Sequence, residues 1–224
     1  MQSDTTPTTA EPAAGERAVG PIDLETAATR RRYDRASSYY DWQVWPMELL
    51  GMKRFRRQVL GRVSGPRILE VGVGTGTNLP DYPTGVEVDA IDLSPRMLAR
   101  ARRRPGVRAR VHLHEMDVQK LAFSDASFDT VVATCVLCSV PDPIVGLKEL
   151  RRVLRPDGRA VLLEHVRPGG RRLAAIFDRL DPLVSRAGPH INRRTVENVR
   201  AAGFTIELEQ NLWSDILKLI VARP

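Results

Sequence analysis

The run Glu70-Val71-Gly72-Val73-Gly74-Thr75-Gly76 constrains this chain more than any other. It closes a short apolar segment, residues 67–71, that reads as a β-strand. Glycine at 72, 74 and 76 lets the backbone turn sharply and approach a ligand closely, because no Cβ stands in the way. The turn is expected to lead into a helix. A dinucleotide fingerprint, G-x-G-x-x-G, would need its last glycine at position 77, and Thr77 stands there instead. The acid that ends the strand, Glu70, would repel a pyrophosphate and suits a cationic ligand.

Downstream, strand and helix signals alternate. Residues 86–93, 108–116, 128–134 and 159–166 read as strands. Ser94-Pro95 opens a helix to about Arg103, with serine as N-cap and proline at the first helical position. Asp142-Pro143 opens another over 142–154, and Gly203 stops a third over 192–202. Pro156-Asp157-Gly158 reads as a turn, and 204–209 with 216–222 as a closing antiparallel pair. Such alternation predicts an α/β fold, a mostly parallel sheet with helices on both faces. Asp92 and Asp117 end the second and third strands, on the carboxyl edge where open α/β sheets bind ligands. A carboxylate at Asp92 can accept hydrogen bonds from both hydroxyls of a ribose.

The 224 residues suit one domain of ordinary size. Residues 1–21, rich in Thr, Ala, Pro and Gly, are expected to be a disordered tail. Residues 22–224 are expected to form the domain, with N-terminal helices over 22–62 and an insertion near 168–190. No apolar run approaches the ~20 residues that cross a bilayer, and no signal peptide is evident, so the chain reads as cytoplasmic. The net charge of +7 comes mostly from arginine, since the lysines are only Lys53, Lys120, Lys148 and Lys218. That surface suits anionic partners, or is simply solvated. Over 46–62, expected as one helix starting at Pro46, an apolar stripe (Leu49, Met52, Phe55, Val59, Leu60) runs beside Lys53, Arg54, Arg56 and Arg57. Such a helix can lie peripherally on the inner face of a membrane, or its stripe can pack on the domain. Cys135 and Cys138 end an apolar run, and no His, Cys, Asp or Glu cluster has metal-ligand spacing, so no metal is expected.

From about Tyr33 to the C-terminus the chain resembles the class I methyltransferases dependent on S-adenosyl-L-methionine (SAM), of the UbiE-like, methyltransferase type 11 group. The carriers are Glu70 to Gly76, Ile91-Asp92-Leu93-Ser94-Pro95-Arg96-Met97-Leu98, Met116-Asp117, Phe123 to Asp129, and Glu149 to Gly158. Within that group it is most similar to bacterial phospholipid N-methyltransferases and related thiol methyltransferases, through Val136 to Pro143, Glu164-His165-Val166 and Ile191 to Thr195. The resemblance implies a Rossmann-like sheet of seven strands with the last antiparallel. It implies SAM as cofactor, S-adenosyl-L-homocysteine as product, and Met97 near the adenine. Glu70, Gly72, Gly74, Thr75, Gly76, Asn78, Leu93, Val118, Thr134 and Cys135 are implied around the cofactor with Asp92 and Asp117. The repeated Tyr33-Asp34 and Tyr40-Asp41 imply an N-terminal helix folded over the methionine end, the alternative being that both tyrosines pack in a core.

Methyl transfer from a sulfonium is an in-line displacement, in which the protein aligns the acceptor and excludes water. An amine with pKa near ~10.4 costs about 4–5 kcal/mol to deprotonate at neutral pH, and a thiol near ~8.5 about 2. His165, at the end of the fifth strand, is the first candidate base, or else a histidine satisfied within the sheet. His190 is a second, and Tyr40 can orient an amine. A lipid amine is the leading acceptor, with a small thiol, quinone or other apolar molecule as the alternative. A nucleic-acid acceptor is not expected. DNA amine methylases resemble one another in an Asn/Asp-Pro-Pro-Tyr/Phe motif after the fourth strand, where this chain reads Thr134-Cys135-Val136-Leu137. A non-enzymatic SAM-binding module is a more remote reading. The oligomeric state is not legible.

Overall fold

The computed structural model describes residues 24–186 and 189–224. The tail expected over 1–21 lies outside them. Seven strands form one sheet: β1 (Arg67–Val71), β2 (Glu87–Asp92), β3 (Arg110–Glu115), β4 (Phe128–Thr134), β5 (Leu154–His165), β6 (Thr205–Trp213) and β7 (Leu217–Arg223). Their order is β3-β2-β1-β4-β5-β7-β6. The first five pair in parallel, and β7 runs antiparallel to both β5 and β6.

Both faces of the sheet are covered because successive residues of each strand point to opposite sides. Leu69, Val71, Val131 and Ala133 face α5 (Pro143–Val153) and α7 (Thr195–Ala201), in a core that holds Leu147, Leu150 and Val199. Ile68, Val88, Val132 and Val161 face the other way, toward α3 (Lys53–Leu60) and α4 (Pro95–Ala101). Two helix starts follow the sequence rules. The Ser94 hydroxyl accepts from the Met97 N–H at 3.1 Å, and Asp142 caps Ile144 and Val145.

Four elements differ from expectation. No helix follows the glycine turn; turns lead to a short 3₁₀ segment at Leu79–Asp81, since Gly76 has φ 79° and Asn78 and Pro80 resist helix extension. β5 begins at Leu154 rather than 159, and the expected turn at Pro156-Asp157-Gly158 is an irregularity between the Phe128↔Leu154 and Thr130↔Arg159 pairs. The 168–190 segment, whose sequence suggests only a short helix over 173–180, carries the longer α6 (Arg171–Val184).

The fourth is the helix expected from Pro46. The chain instead forms α1 (Leu24–Ala36) and then α2 (Tyr40–Met47), with Pro46 inside α2. Proline offers no N–H to the preceding turn, and a π-type turn follows at Glu48–Met52, where Gly51 takes φ 113°. The kink splits the apolar stripe. Met52, Val59 and Leu60 are buried in the core, and Arg56 is buried in a bidentate ion pair with Glu48. Those three residues of the stripe therefore face the core and not a lipid surface. The exposed apolar residues lie earlier: Trp42 is 78% exposed and Trp45 58%, and Leu49 and Leu50 are exposed beside Lys53, Arg54 and Arg57.

Candidate functional site

A cleft of about 720 Å³, counting its open mouth, lies at the carboxyl edge of the parallel strands. Its lining joins the ends of β1 (Val71, Gly72, Gly74), β2 (Asp92, Leu93), β3 (Met116, Asp117) and β4 (Thr134, Cys135), with Met97 from α4 and Val118 beyond β3. From the N-terminal helices come Thr29, Tyr33 and Tyr40. An adjoining recess holds Glu70, Thr75 and Asn78, and shares Tyr40, Gly72, Gly74, Thr134 and Cys135 with the cleft.

The glycines differ in what they do. A Cβ on Gly74 would meet nothing nearer than the Gly72 carbonyl at 3.9 Å, so this position leaves the space before it open. A Cβ on Gly72 would strike Val136 at 2.5 Å, so Gly72 permits the turn after β4 to pack against the turn after β1. Gly76 lines neither space. Its absent Cβ makes room for Ala101 of α4. Its reason is packing.

Both oxygens of Asp92 already accept backbone bonds, from Gly74 N–H and Ser94 N–H, each at 2.8 Å. Burial, with Asp34 close by, pushes its pKa up to about 6. Glu70 is fully enclosed. Burial lifts it to about 7 against the pull of the Asn78 amide, which donates to its Oε1 at 2.8 Å. Asn78 Oδ1 is buried and receives no hydrogen bond from a described residue. Two buried carboxylates and an amide oxygen with spare accepting capacity suit a ligand rich in donors and positive charge. Cleft and recess together thus fit SAM, with its ammonium and sulfonium. Asp117 is bonded by the Gln119 N–H at 2.9 Å and by the Thr26 hydroxyl at 3.3 Å.

The N-terminal helices are tied down by contacts far apart in sequence. The Tyr33 hydroxyl meets Ser139 Oγ at 2.5 Å, and the Ser94 hydroxyl donates to Asp34 at 2.6 Å. The Thr75 hydroxyl donates to Asp41 at 2.5 Å, and Arg104 bridges Asp41 and the Thr75 carbonyl. Burial holds the Tyr33 and Tyr40 hydroxyls well above the ordinary phenol range, so neither is a base near neutral pH. The thiols of Cys135 and Cys138 are likewise pushed up by burial, Cys138 to about 12.

His165 lines neither space. Its ring stacks on Phe177 of α6 at 5.9 Å, its Nδ1 is buried without a partner among the described residues, and burial lowers its pKa. Sequence reasoning missed Thr29, Val136, Ser139, Val140 and Pro141 in the cleft wall. Val136, Ser139, Val140 and Pro141 lie in a stretch that carries the resemblance, but only the docking of α1 and the course of the turn after β4 bring them and Thr29 to the cleft wall. Among the described residues no group of three His, Cys, Asp or Glu could hold a metal ion.

Residues 69–162 match the model of a methyltransferase domain family. The chain is 37% identical over 170 residues to phosphatidylethanolamine N-methyltransferase of Cereibacter sphaeroides, covering 75% of this chain and 82% of that protein. The chain belongs to the class I SAM-dependent methyltransferases. It is 35% identical to a thiol S-methyltransferase of Mus musculus, covering 78% of this methyltransferase and 73% of the mouse protein. To demethylmenaquinone methyltransferase of Mycobacterium sp. (strain KMS) it is 31% identical, covering 84% of each. The crystal structure of a SAM-dependent methyltransferase from Thermotoga maritima superposes with a TM-score of 0.64 at 20% identity, over 87% of this methyltransferase and 99% of that chain. SAM is accordingly its cofactor. Among the described residues no helix is long and apolar enough to cross a membrane.

Proposed function

We propose that this methyltransferase transfers the methyl group of SAM to the amine of a phospholipid headgroup at a membrane surface. The observation that carries this reading is α2. One side of the helix presents Tyr40, Val44 and Met47 to the recess beside the cofactor cleft. The other presents Trp42 and Trp45 to solvent, followed by Leu49 and Leu50 and then by exposed Lys53, Arg54 and Arg57. Tryptophan with aliphatic and basic neighbours is the composition that settles at a lipid–water boundary. Helix α6 carries a second exposed apolar stripe: Leu173, Ile176, Leu180 and Leu183.

In this reading the cofactor's methionine end lies along Gly72, Gly74, Glu70 and Asn78, near Thr75. Its ribose lies at Asp92 and its adenine among Leu93, Met97, Asp117 and Val118. Thr134 and Cys135 floor the site, and Tyr33 and Tyr40 close it. SAM supplies an activated methyl group with its leaving group attached, so alignment and exclusion of water are what the protein adds. Headgroup attraction contributes about 1 kcal/mol per basic residue near the surface, so three exposed cations give weak, reversible, salt-sensitive attachment at the inner face of the membrane.

The test is radiolabelled SAM with three acceptors in parallel: phosphatidylethanolamine vesicles, a small aliphatic thiol and demethylmenaquinone. The lipid reading predicts label in the phospholipid fraction. Label confined to the thiol or the quinone rejects it, and either outcome would match a relative of comparable similarity.

A further inference from the structure

We propose that His190, held by the buried Asp181 of α6, is the general base that takes the proton from the methyl acceptor. The inference rests on an amine acceptor for its full effect, and on the site geometry for its location.

Asp181 is 7% exposed, and each of its oxygens is used. Oδ2 lies 2.8 Å from His190 Nδ1, and Oδ1 accepts the Ile191 N–H at 2.7 Å. A carboxylate facing Nδ1 favours the tautomer with its proton there and leaves the lone pair on Nε2. Among the described residues nothing hydrogen-bonds to Nε2, and the side chain is 40% exposed. The same segment is fixed to the wall of the cofactor cleft. The His190 N–H donates to the Cys138 carbonyl at 2.9 Å, and Arg193 donates to the Val140 carbonyl at 2.8 Å. Ser139, between those two anchors, lines the cleft and meets Tyr33.

The tyrosines and cysteines of the site and the other three histidines are poorly suited. Tyr33, Tyr40, Cys135 and Cys138 hold their protons too tightly, and the neutral form of a group that already carries its proton is no base. His165 stacks on Phe177, and its Nδ1 has no carboxylate or other partner among the described residues to fix its tautomer. His112 and His114 pair with Glu87 and Asp89 along β2 and β3. His190 alone of the four histidines combines a buried carboxylate partner with attachment to the cleft wall.

The chemistry balances without a further reagent. An ammonium headgroup gives one proton to Nε2. The freed lone pair forms the N–CH₃ bond as the S–CH₃ bond breaks, and that electron pair stays on sulfur, leaving S-adenosyl-L-homocysteine. The imidazolium returns its proton to solvent through its exposed edge. Asp181 acts as a positioning residue, fixing the tautomer and stabilising the charged ring.

The test compares wild type, His190→Gln, His190→Ala and Asp181→Asn with phosphatidylethanolamine vesicles and radiolabelled SAM. A general base contributes roughly 10²–10⁴-fold, so His190→Gln should lose at least about 100-fold in kcat with SAM affinity and melting temperature retained. Added imidazole should restore His190→Ala by about tenfold or more, because only a missing base can be replaced from solution. Asp181→Asn should fall between, unrescued by imidazole. A His190→Gln enzyme within about threefold of wild type overturns the proposal. So does a loss that imidazole leaves unchanged and that tracks weakened SAM binding, which identifies a structural clamp. If wild type methylates the thiol or quinone and not the lipid, the lipid reading fails alone, and the same ratios and rescue are then judged on that acceptor.

Discussion

Replacing Gly72 with alanine tests whether close packing, rather than flexibility, explains the glycine turn. Gly72 has φ 63°, and a Cβ there would lie 2.5 Å from Val136 Cγ2 and 2.9 Å from Cγ1. A left-handed backbone costs a non-glycine residue roughly 1–2 kcal/mol. Forcing a methyl into a filled space adds about 1–3 kcal/mol. The sum is about 2–5 kcal/mol, or on the order of 5–15 °C in melting temperature for a domain of this size. Gly74→Ala is the control. Its φ is 55°, but a Cβ there meets only open space, so it should lose about 1–2 kcal/mol from strain alone. Adding Val136→Ala to Gly72→Ala removes the methyls that clash, and the two changes should couple favourably by about 1–3 kcal/mol. Denaturant unfolding of these three variants and of the Val136→Ala single mutant gives every term. A Gly72→Ala protein within about 0.5 kcal/mol of wild type, or a double mutant that shows no coupling, would refute the packing argument.

Protonation should tune cofactor binding. Burial raises Asp92 to about 6 and Glu70 to about 7, so both favour the empty folded protein at low pH, and that contribution is lost as pH rises through 6 to 7. A cationic cofactor favours the charged carboxylates, so calorimetry should find SAM bound about tenfold tighter near pH 8 than near pH 5.5; flat or weakening affinity contradicts this. Trp42→Ala with Trp45→Ala should abolish cosedimentation with phosphatidylglycerol vesicles at low salt while SAM affinity stays unchanged, and wild-type protein left in the supernatant would end the membrane idea. EDTA should leave methyl transfer intact, because a sulfonium leaves without a Lewis acid; loss that a divalent ion restores would show otherwise.

Strand ends were the most legible part of this molecule. Asp92 and Asp117 could be placed on one edge because each closes a segment that reads as a strand, and parallel strands bring such ends together. Periodicity told which residues of 46–62 share a face, but not that Pro46 and Gly51 would break the segment. Nor did it say that the sheet, rather than a bilayer, would cover Met52, Val59 and Leu60. Gly76 shows the limit of motif reading: spacing identifies a glycine, while the atom that needs the room, here Ala101, is known only from packing. Thr29 carries no signal at all, and Ser139 none beyond its place in the Val136–Pro143 stretch, since their position in the cleft wall depends on contacts that span the sheet. Sequence ranks His165 above His190 as a base, and nothing in it shows that a buried carboxylate from α6 meets His190.

The ties that hold α1 and α2 have a consequence for the order of assembly. Tyr33 meets a residue 106 positions downstream, Thr26 one 91 positions downstream, and Asp34 one 60 positions downstream. These helices are made before the residues they dock on, and the last of those, Ser139, exists only once β4 and its following turn have been made. Contacts so distant in sequence form late, because their loop-closure entropy is recovered only after the intervening chain is ordered. The sheet must therefore assemble with its ligand edge uncovered, and a nascent chain can take up SAM from solution before its own N-terminal segment closes over the bound molecule.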